Sequence, residues 1–221
     1  MSVHIQAYKQ ISGYCFNSDV ALVAVSKTKP VKDILELYQA GQRDFGENYV
    51  QELVEKQPQL PAEIRWHFIG HLQSNKVKLI APFVYLIHGV DSFKLLKEIN
   101  KQAQKHNRVI NVLLQIHISQ EETKFGLDET ELEALLHDGE LLLLTHIKIK
   151  GLMGMASFSE DENLVRSEFK SLKYLFDKLK QYEISNLQPE ILSMGMSGDY
   201  TWAVEEGSTM VRIGSLIFGA R

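Results

Sequence analysis

The chain has 221 residues, 44% hydrophobic and 24% charged, which excludes a disordered chain, a collagen and a coiled-coil rod. Its 24 Lys and Arg against 28 Asp and Glu give a formal net charge of -4, so the overall charge indicates no nucleic-acid partner. Apolar runs are far shorter than the roughly 20 residues that cross a bilayer, and the start of the chain lacks a secretory pattern. We therefore expect a cytoplasmic protein with no membrane contact and one domain, 1–221, with a short lead over 1–19.

Short apolar runs alternate with amphipathic ones, a rhythm that predicts strands and helices in turn. The predicted strands cover 20–26, 43–46, 65–70, 84–88, 109–119, 146–153, 191–193 and 210–213. The predicted helices cover 31–40, 48–57 (with Asn48 as N-cap), 75–81, 92–106 (with Ser92 as N-cap), 128–137, 162–182 and 199–206. Eight strands alternating with helices predict an α/β fold, a single (β/α)8 TIM barrel, with an open doubly wound sheet as the alternative.

In such a barrel, function lies where strands end, and Lys27 follows the first strand directly. Its amine is then expected at the barrel mouth, where partial loss of water favours attack on a carbonyl carbon. A solvated loop lysine is the simpler interpretation of this feature alone. Lys29, two residues on, is either a second amine or surface charge.

Small and hydroxyl residues follow the last two strands, where barrels commonly bind phosphate. Ser197 and Gly198 come after the seventh strand, and Gly214 and Ser215 after the eighth. Their hydroxyl and backbone N–H groups suit an anion, although turn formation alone would also explain them. Arg212, inside the last strand, points either into the barrel or toward the helices, and its partner is either a ligand or a structural carboxylate.

Other candidate sites fail on spacing. His67 and His71 are four residues apart, which on a strand spans roughly 13 Å, too far for one metal ion. We therefore predict no metal site. Cys15 is the single cysteine, lies in a polar stretch and forms no internal disulfide.

An amine, a phosphate cradle and an inward arginine together suggest pyridoxal phosphate (PLP), which offers an aldehyde, a phosphate and a pyridine nitrogen. Five ordered blocks carry a closer resemblance: AVSKTKP (24–30), FGENYVQE (45–52), WHFIGHLQSNK (66–76), LSMGMSGD (192–199) and MVRIGSLIFGAR (210–221). These blocks closely resemble the pyridoxal phosphate homeostasis proteins, relatives of the barrel half of alanine racemase.

The resemblance implies a PLP-binding protein of PLP homeostasis and delivery, without strong catalytic activity. It implies that Lys27 holds PLP covalently as a Schiff base and that Arg212 faces the pyridine nitrogen. Residues that the resemblance places at the phosphate are Ser197, Gly214 and Ser215. Asn48 and His71 match positions close to the cofactor, whereas the roles of Lys29 and Lys76 stay open. We expect a monomer whose further partners are apo forms of PLP-dependent enzymes.

The chain departs from the family pattern in two places. The lead before the first strand is short, so we expect its first helix to be reduced or missing. The loop over 119–126 is a variant of the usual Ser/Lys/Gly pattern.

Two other functions stay open from the residues. An amino-acid racemase needs a base on each face of the cofactor. Lys27 serves one face, but we expect no second domain to supply the other, because the sequence ends soon after the eighth strand. A cofactor-free enzyme acting on sugar phosphates would use the same phosphate cradle, with Lys27 as an aldolase-type amine.

Overall fold

A computed structural model describes residues 3–119 and 125–219, and its eight parallel strands close into a barrel in sequence order. The strands are β1 (Ala21–Val25), β2 (Asp44–Glu47), β3 (Arg65–Phe68), β4 (Leu86–Val90), β5 (Ile110–Ile116), β6 (Ile147–Gly154), β7 (Leu187–Ser193) and β8 (Met210–Ile213). Because β1 pairs with β8, from Ala21 opposite Met210 to Ala24 opposite Ile213, the sheet has no open edge there. The predicted TIM barrel is confirmed, and the open doubly wound sheet is excluded.

Helices surround the barrel between successive strands. They are α1 (Ile5–Asn17), α2 (Val31–Gln39), α3 (Val50–Lys56), α4 (Val77–Ile80), α5 (Phe93–Lys105), α6 (Glu129–His137), α7 (Glu162–Leu179), α8 (Tyr200–Glu205) and α9 (Ser215–Phe218). Single 3-10 turns occupy Gln57–Gln59, Ser74–Lys76 and Gly139–Leu143. Ser92 caps α5 as predicted, since its Oγ accepts a hydrogen bond from the Leu95 N–H at 3.3 Å.

The first helix is present, so the expectation that it could be missing is wrong. α1 runs for 13 residues and buries Tyr8, Ile11 and Cys15. These three residues are spaced by three and four, the interval that places side chains on one helical face. The apolar face of α1 packs on the barrel, and the His4 N–H just before it donates to the Ile217 carbonyl of α9 at 2.8 Å.

The prediction of Asn48 as an N-cap is also wrong. α3 begins at Val50, its N-cap is Tyr49, and no side chain caps it. Asn48 instead lies directly after β2, at the mouth of the barrel. Its side chain is therefore available for another role.

Two apolar layers make up the core. Most buried residues lie between the sheet and the helices, whereas a smaller group fills the barrel itself: Val23, Leu86, Leu113, Met153 and Met210. Val23 is the register partner of Arg212 in the neighbouring strand, and parallel partners point to the same face of a sheet. Arg212 therefore points into the barrel, one of the two directions that the sequence left open. Among the described residues, no helix is long and apolar enough to cross a membrane.

Candidate functional site

A cavity of about 570 Å³ opens at the mouth of the barrel, in the size range typical of small-molecule sites. Six of the seven predicted site residues line it: Lys27, Asn48, Ser197, Arg212, Gly214 and Ser215. These residues lie in β8 or follow the ends of β1, β2, β7 and β8. In the closed barrel β1 lies beside β2, β7 lies beside β8, and the β1–β8 ladder joins these two pairs. This arrangement brings residues nearly 190 positions apart in the sequence to one wall of the cavity.

A tight turn after β1 presents Lys27 to the cavity. The Ser26 N–H continues the sheet by donating to the Gly46 carbonyl at 2.9 Å, and the Lys29 N–H then folds back to the Ser26 carbonyl at 3.0 Å. Thr28 has a φ of 63°, in the left-handed region that β-branched residues rarely adopt. Glu52 Oε1 holds this conformation by accepting from the Thr28 N–H at 2.5 Å.

A buried cluster of charged side chains holds that turn in place. Lys56 Nζ lies 2.8 Å from Glu47 Oε1 and 2.6 Å from Glu52 Oε1, and it also donates to the Ser26 carbonyl at 2.8 Å. Burial raises the pKa of the Glu47 carboxyl, and the Lys56 charge opposes that rise. Sequence reasoning missed this cluster, although Glu52 and Lys56 stand four residues apart on α3, the spacing of a helical ion pair.

The loops after β7 and β8 meet at the same cavity. The Gly214 N–H donates to Ser197 Oγ at 3.3 Å, which ties the two loops together. Gly198 lies on the same wall, and a Cβ added there would meet no atom within 4 Å. Asp199 also lines this wall, and its Oδ1 accepts from the Met196 N–H at 2.5 Å. Small residues and hydroxyl groups thus face open space here.

Arg212 reaches the cavity from inside the barrel, with 4% of its surface exposed. Its Nη1 donates to Ser193 Oγ at 2.6 Å and its Nη2 to the Gly154 carbonyl at 2.9 Å, which uses two of the five N–H groups of a guanidinium. Burial lowers the pKa of Arg212 to about 10, while the charge of Asp199 acts in the opposite direction. The group therefore remains a cation at neutral pH.

Asn48 contributes an unsatisfied acceptor to the cavity wall. Within the described part of the chain, its Oδ1 is buried and accepts no hydrogen bond. A buried polar atom without a partner costs about 1–3 kcal/mol, so such atoms commonly mark a place that a ligand or water completes.

His71 is the predicted residue that the structure does not bring to the cavity wall. Its Nδ1 lies 3.3 Å from Asp91 Oδ2, and its ring stacks on Phe125 with centroids 4.1 Å apart and planes at 17°. Lys29 does line the cavity and donates to the Gly219 carbonyl at 3.2 Å, whereas Lys76 lies in a 3-10 turn outside the wall.

Two further predictions concern the loop after β5 and metal binding. Residues 120–124 of the variant loop 119–126 lie outside the described residues. Across 3–119 and 125–219, no three His, Cys, Asp or Glu side chains are grouped so as to hold a metal ion.

Comparison with known proteins identifies relatives along nearly the whole chain. Residues 5–221 match the family model of the alanine racemase N-terminal domain. The pyridoxal phosphate homeostasis protein of Pasteurella multocida is 45% identical over 209 residues, which cover 92% of this chain and 88% of that protein. The human protein of the same name is 45% identical over 211 residues, covering 90% of this chain and 76% of its own length.

A solved structure is similar over the same extent. PipY of Synechococcus elongatus is 35% identical, and its structures without and with PLP give TM-scores of 0.90 and 0.88 over 97% of this chain and 99% of that one. By both sequence and fold, this chain is a member of the pyridoxal phosphate homeostasis protein family, which shares its barrel with the N-terminal domain of alanine racemase.

Proposed function

We propose that this chain binds PLP in the cavity at the barrel mouth, holds it as a Schiff base on Lys27 and takes part in intracellular PLP homeostasis and delivery. We propose further that it has no strong catalytic activity of its own. The observation that carries the proposal is the convergence of an amine, a buried guanidinium and a wall of small hydroxyl residues on one cavity. The structure of PipY, a relative 35% identical, has PLP bound, which supports PLP as the ligand.

The residues of the wall fit the groups of PLP. Asn48 Oδ1 is an acceptor in need of a donor, which the ring hydroxyl supplies. The Arg212 guanidinium has further N–H groups besides the two that donate to Ser193 and Gly154. Because a guanidinium can donate hydrogen bonds but not accept them, Arg212 suits an unprotonated ring nitrogen. Ser197, Gly214 and Ser215 suit the phosphate, since hydroxyl and backbone N–H groups are its usual partners. The cofactor contact of His71 stays a prediction without support from this wall.

Lys27 would supply the covalent link. Its unprotonated Nζ adds to the aldehyde carbon, and loss of one water molecule leaves a C=N bond with no change of oxidation state. Release is the reverse reaction with water, or exchange with the amine of an acceptor. The turn that Glu52 and Lys56 hold in place keeps Lys27 beside the cavity throughout.

The charge of Arg212 argues against broad catalysis. A guanidinium next to the ring nitrogen disfavours protonation of that nitrogen, because two adjacent positive charges repel. The unprotonated ring is a weaker electron sink, so carbanion chemistry is not favoured. Racemase-type activity is the alternative function, and conversion of L-alanine to D-alanine by the purified protein is its direct test.

Absorbance and mass spectrometry test the link. Purified protein mixed with PLP should develop the visible band of a Schiff base, and borohydride reduction should fix the adduct on the tryptic peptide that contains Lys27. Lys27→Ala should lose both signals. Lys29→Ala is the matched control, because Lys29 lines the same cavity two residues away, and it should retain the adduct. An adduct on Lys29, or no binding of PLP at all, contradicts the proposal.

Delivery has a separate test. The PLP-loaded protein is mixed with the apo form of a PLP-dependent enzyme, with and without a reagent that captures free PLP (the trap). The recovery of enzyme activity is then followed over time. Faster recovery than with the same concentration of free PLP supports delivery. Recovery that the trap abolishes limits the role to storage. Light scattering on the loaded protein tests the expected monomer.

A further inference from the structure

Four polar residues form a hydrogen-bonded path through the barrel interior behind Arg212. Ser193 Oγ, which accepts from Arg212, lies 3.1 Å from His88 Nδ1. His88 Nε2 lies 2.9 Å from His67 Nδ1, and His67 Nε2 lies 3.0 Å from Asp44 Oδ1. We call Asp44, His67, His88 and Ser193 the interior chain.

The interior chain crosses the barrel from one strand to another. Its members belong in turn to β2, β3, β4 and β7, and Arg212 continues it in β8. Both histidines and Ser193 are fully buried. Buried polar groups of this kind persist in proteins when every donor finds an acceptor, so their pairing can be worked out.

The carboxylate end sets the direction of every hydrogen bond when both rings are neutral. Asp44 as a carboxylate can only accept, so His67 carries its ring proton on Nε2 and accepts at Nδ1. His88 then carries its ring proton on Nε2, donates it to His67 Nδ1 and accepts the Ser193 hydroxyl proton at Nδ1. Ser193 Oγ in turn accepts from Arg212, which can only donate. With this one tautomer of each histidine, every contact of the interior chain is satisfied.

Electrostatics at the two ends agrees with this assignment. Burial opposes ionisation of Asp44, but hydrogen bonds from Arg65 and His67 outweigh it and hold the pKa of Asp44 below its usual value. Arg65 Nε and Nη2 donate hydrogen bonds to the two oxygens of this carboxylate, at 2.6 and 2.5 Å. Burial, with the positive charge of Arg212 acting in the same direction, pushes the pKa of His88 well below its usual value. The carboxylate is thus charged and His88 uncharged at neutral pH.

We propose that the interior chain positions the Arg212 guanidinium and couples it through three intervening side chains to the Asp44 carboxylate, which makes Asp44, His67, His88 and Ser193 positioning residues for the cofactor site. The proposal rests on the proposed PLP function, because Arg212 is the residue offered to the ring nitrogen. A polarised row of hydrogen bonds stabilises a fixed charge in a dry interior without a direct counter-ion. A direct carboxylate partner would compete with the ligand for the guanidinium, whereas a distant one leaves that face open.

The tautomers can be measured without PLP. Nitrogen-15 NMR of the histidine rings in the apo protein at about pH 8, where an imidazole is ordinarily neutral, should find His67 and His88 each with its proton on Nε2. The groups that face these rings are Asp44, the Tyr85 ring at 5.5 Å from His67, Ser193 and Arg212. A proton on Nδ1 of either ring at this pH overturns the proposal whether or not the protein binds PLP.

A pair of serine variants tests the coupling to the cofactor. Ser193→Ala removes the link between His88 and Arg212 and should raise the Kd for PLP about tenfold, the effect of one hydrogen bond to a charged group. Ser208→Ala is the control, since Ser208 is equally buried beside β8 but bonds only the carbonyls of Leu192, Met194 and Met210. It should leave the Kd within about twofold of the wild type. Equal effects of the two variants, or none from Ser193→Ala, overturn the proposal.

Asp44→Asn provides a test that does not depend on the folding of Ser193→Ala. The substitution keeps the shape of the side chain and removes its charge. We expect a rise in the Kd for PLP of about three- to tenfold together with a shift of the His88 ring resonances, although His88 does not touch Asp44. A protein that loses PLP affinity while the His88 resonances stay unchanged contradicts the coupling.

Discussion

Gly70 and Asn48 approach so closely that a Cβ at position 70 would lie 2.2 Å from the Asn48 carbonyl oxygen and 2.9 Å from its carbonyl carbon. Real side chains never come this near, so only glycine at position 70 permits the contact. Gly70→Ala should displace the backbone of Asn48 and with it the unsatisfied Oδ1 of the cavity. We expect a loss of about 1–3 kcal/mol in unfolding free energy and a roughly fivefold weaker binding of PLP, measured by denaturation and cofactor titration.

Gly13→Ala is the matched control for this substitution. A Cβ at position 13 meets nothing within 4 Å, and the residue lies inside α1. Alanine there should stabilise the helix by about 0.5–1 kcal/mol and leave PLP binding unchanged. Wild-type affinity in Gly70→Ala would show that the position of Asn48 does not matter for the ligand.

Lys56→Met should destabilise the protein because it strips the buried Glu47 of its counter-charge. Breaking a buried pair in this way costs about 3–5 kcal/mol. The turn that carries Lys27 also loses its contact at the Ser26 carbonyl, so PLP binding should weaken as well. Chemical denaturation measures the first effect and cofactor titration the second. Lys173→Met, which removes a more exposed pair with Asp177, should cost less than about 1 kcal/mol.

The cost of Lys56→Met should also depend on pH. The pKa of Glu47 is raised in the folded protein, so its protonated form is favoured there and its contribution to stability is lost as pH rises through the folded pKa. Without Lys56 that pKa rises further. The destabilisation should therefore be smaller near about pH 5 than near about pH 8. A cost that is the same at both values would mean that Lys56→Met does not change the protonation of Glu47 between them.

The barrel and most of the cavity wall could be predicted because they depend on local patterns. The alternation of apolar and amphipathic runs fixes the order of strands and helices, and the ends of parallel strands gather at one mouth. Lys27, Ser197 and Ser215 each come within four residues of the end of a strand, so their convergence needs no knowledge of distant contacts. Helix α1 has the same kind of pattern, but its three buried residues, Tyr8, Ile11 and Cys15, stand among polar residues that weaken the pattern.

The interior chain could not be predicted in this way. His88 and Ser193 lie 105 residues apart and meet only because their strands face each other across the barrel. Within its own strand, His88 looks like an isolated polar residue in an apolar run, and Ser193 looks like the ordinary polar end of a strand. Asn48 was assigned to a helix cap for a similar reason, since the sequence does not reveal that α3 begins two residues later. Contacts across a closed barrel depend on register, which single-strand patterns leave open.

Glu168→Ala should weaken PLP binding from a position outside the cavity wall. Glu168 lies in α7, and its two oxygens accept from the Ser157 N–H and hydroxyl, both at 2.7 Å. Ser157 and Phe158 belong to the loop after β6 that lines the cavity. Loss of both hydrogen bonds should raise the Kd for PLP about five- to tenfold, as measured by titration.

Glu162→Ala on the same helix is the control for Glu168→Ala. Glu162 forms a half-exposed ion pair with Arg166, four residues along the helix. Its substitution should leave the Kd for PLP unchanged and cost under about 1 kcal/mol. If both variants bind PLP as the wild type does, the loop after β6 does not need its anchor on α7.

Cys15 reports on whether α1 stays packed against the barrel. The thiol is buried, with 2% of the residue exposed, and burial raises its pKa to about 11. Thiolate, the reactive form, is therefore scarce at neutral pH as well as shielded. We expect alkylation by iodoacetamide near pH 8 to be at least about 100-fold slower in the native protein than in denaturant.

The Cys15 thiol should also make the free energy of unfolding depend on pH in alkaline solution. A raised pKa means that the folded protein favours the protonated thiol, so the contribution of Cys15 to stability is present at neutral pH and is lost as pH rises toward about 11. Cys15→Ser keeps the size of the side chain and removes this titration, so its loss of stability between about pH 8 and pH 10 should be smaller than that of the wild type. Because the chain has a single cysteine, rapid labelling of the native protein would mean that α1 detaches readily from the barrel.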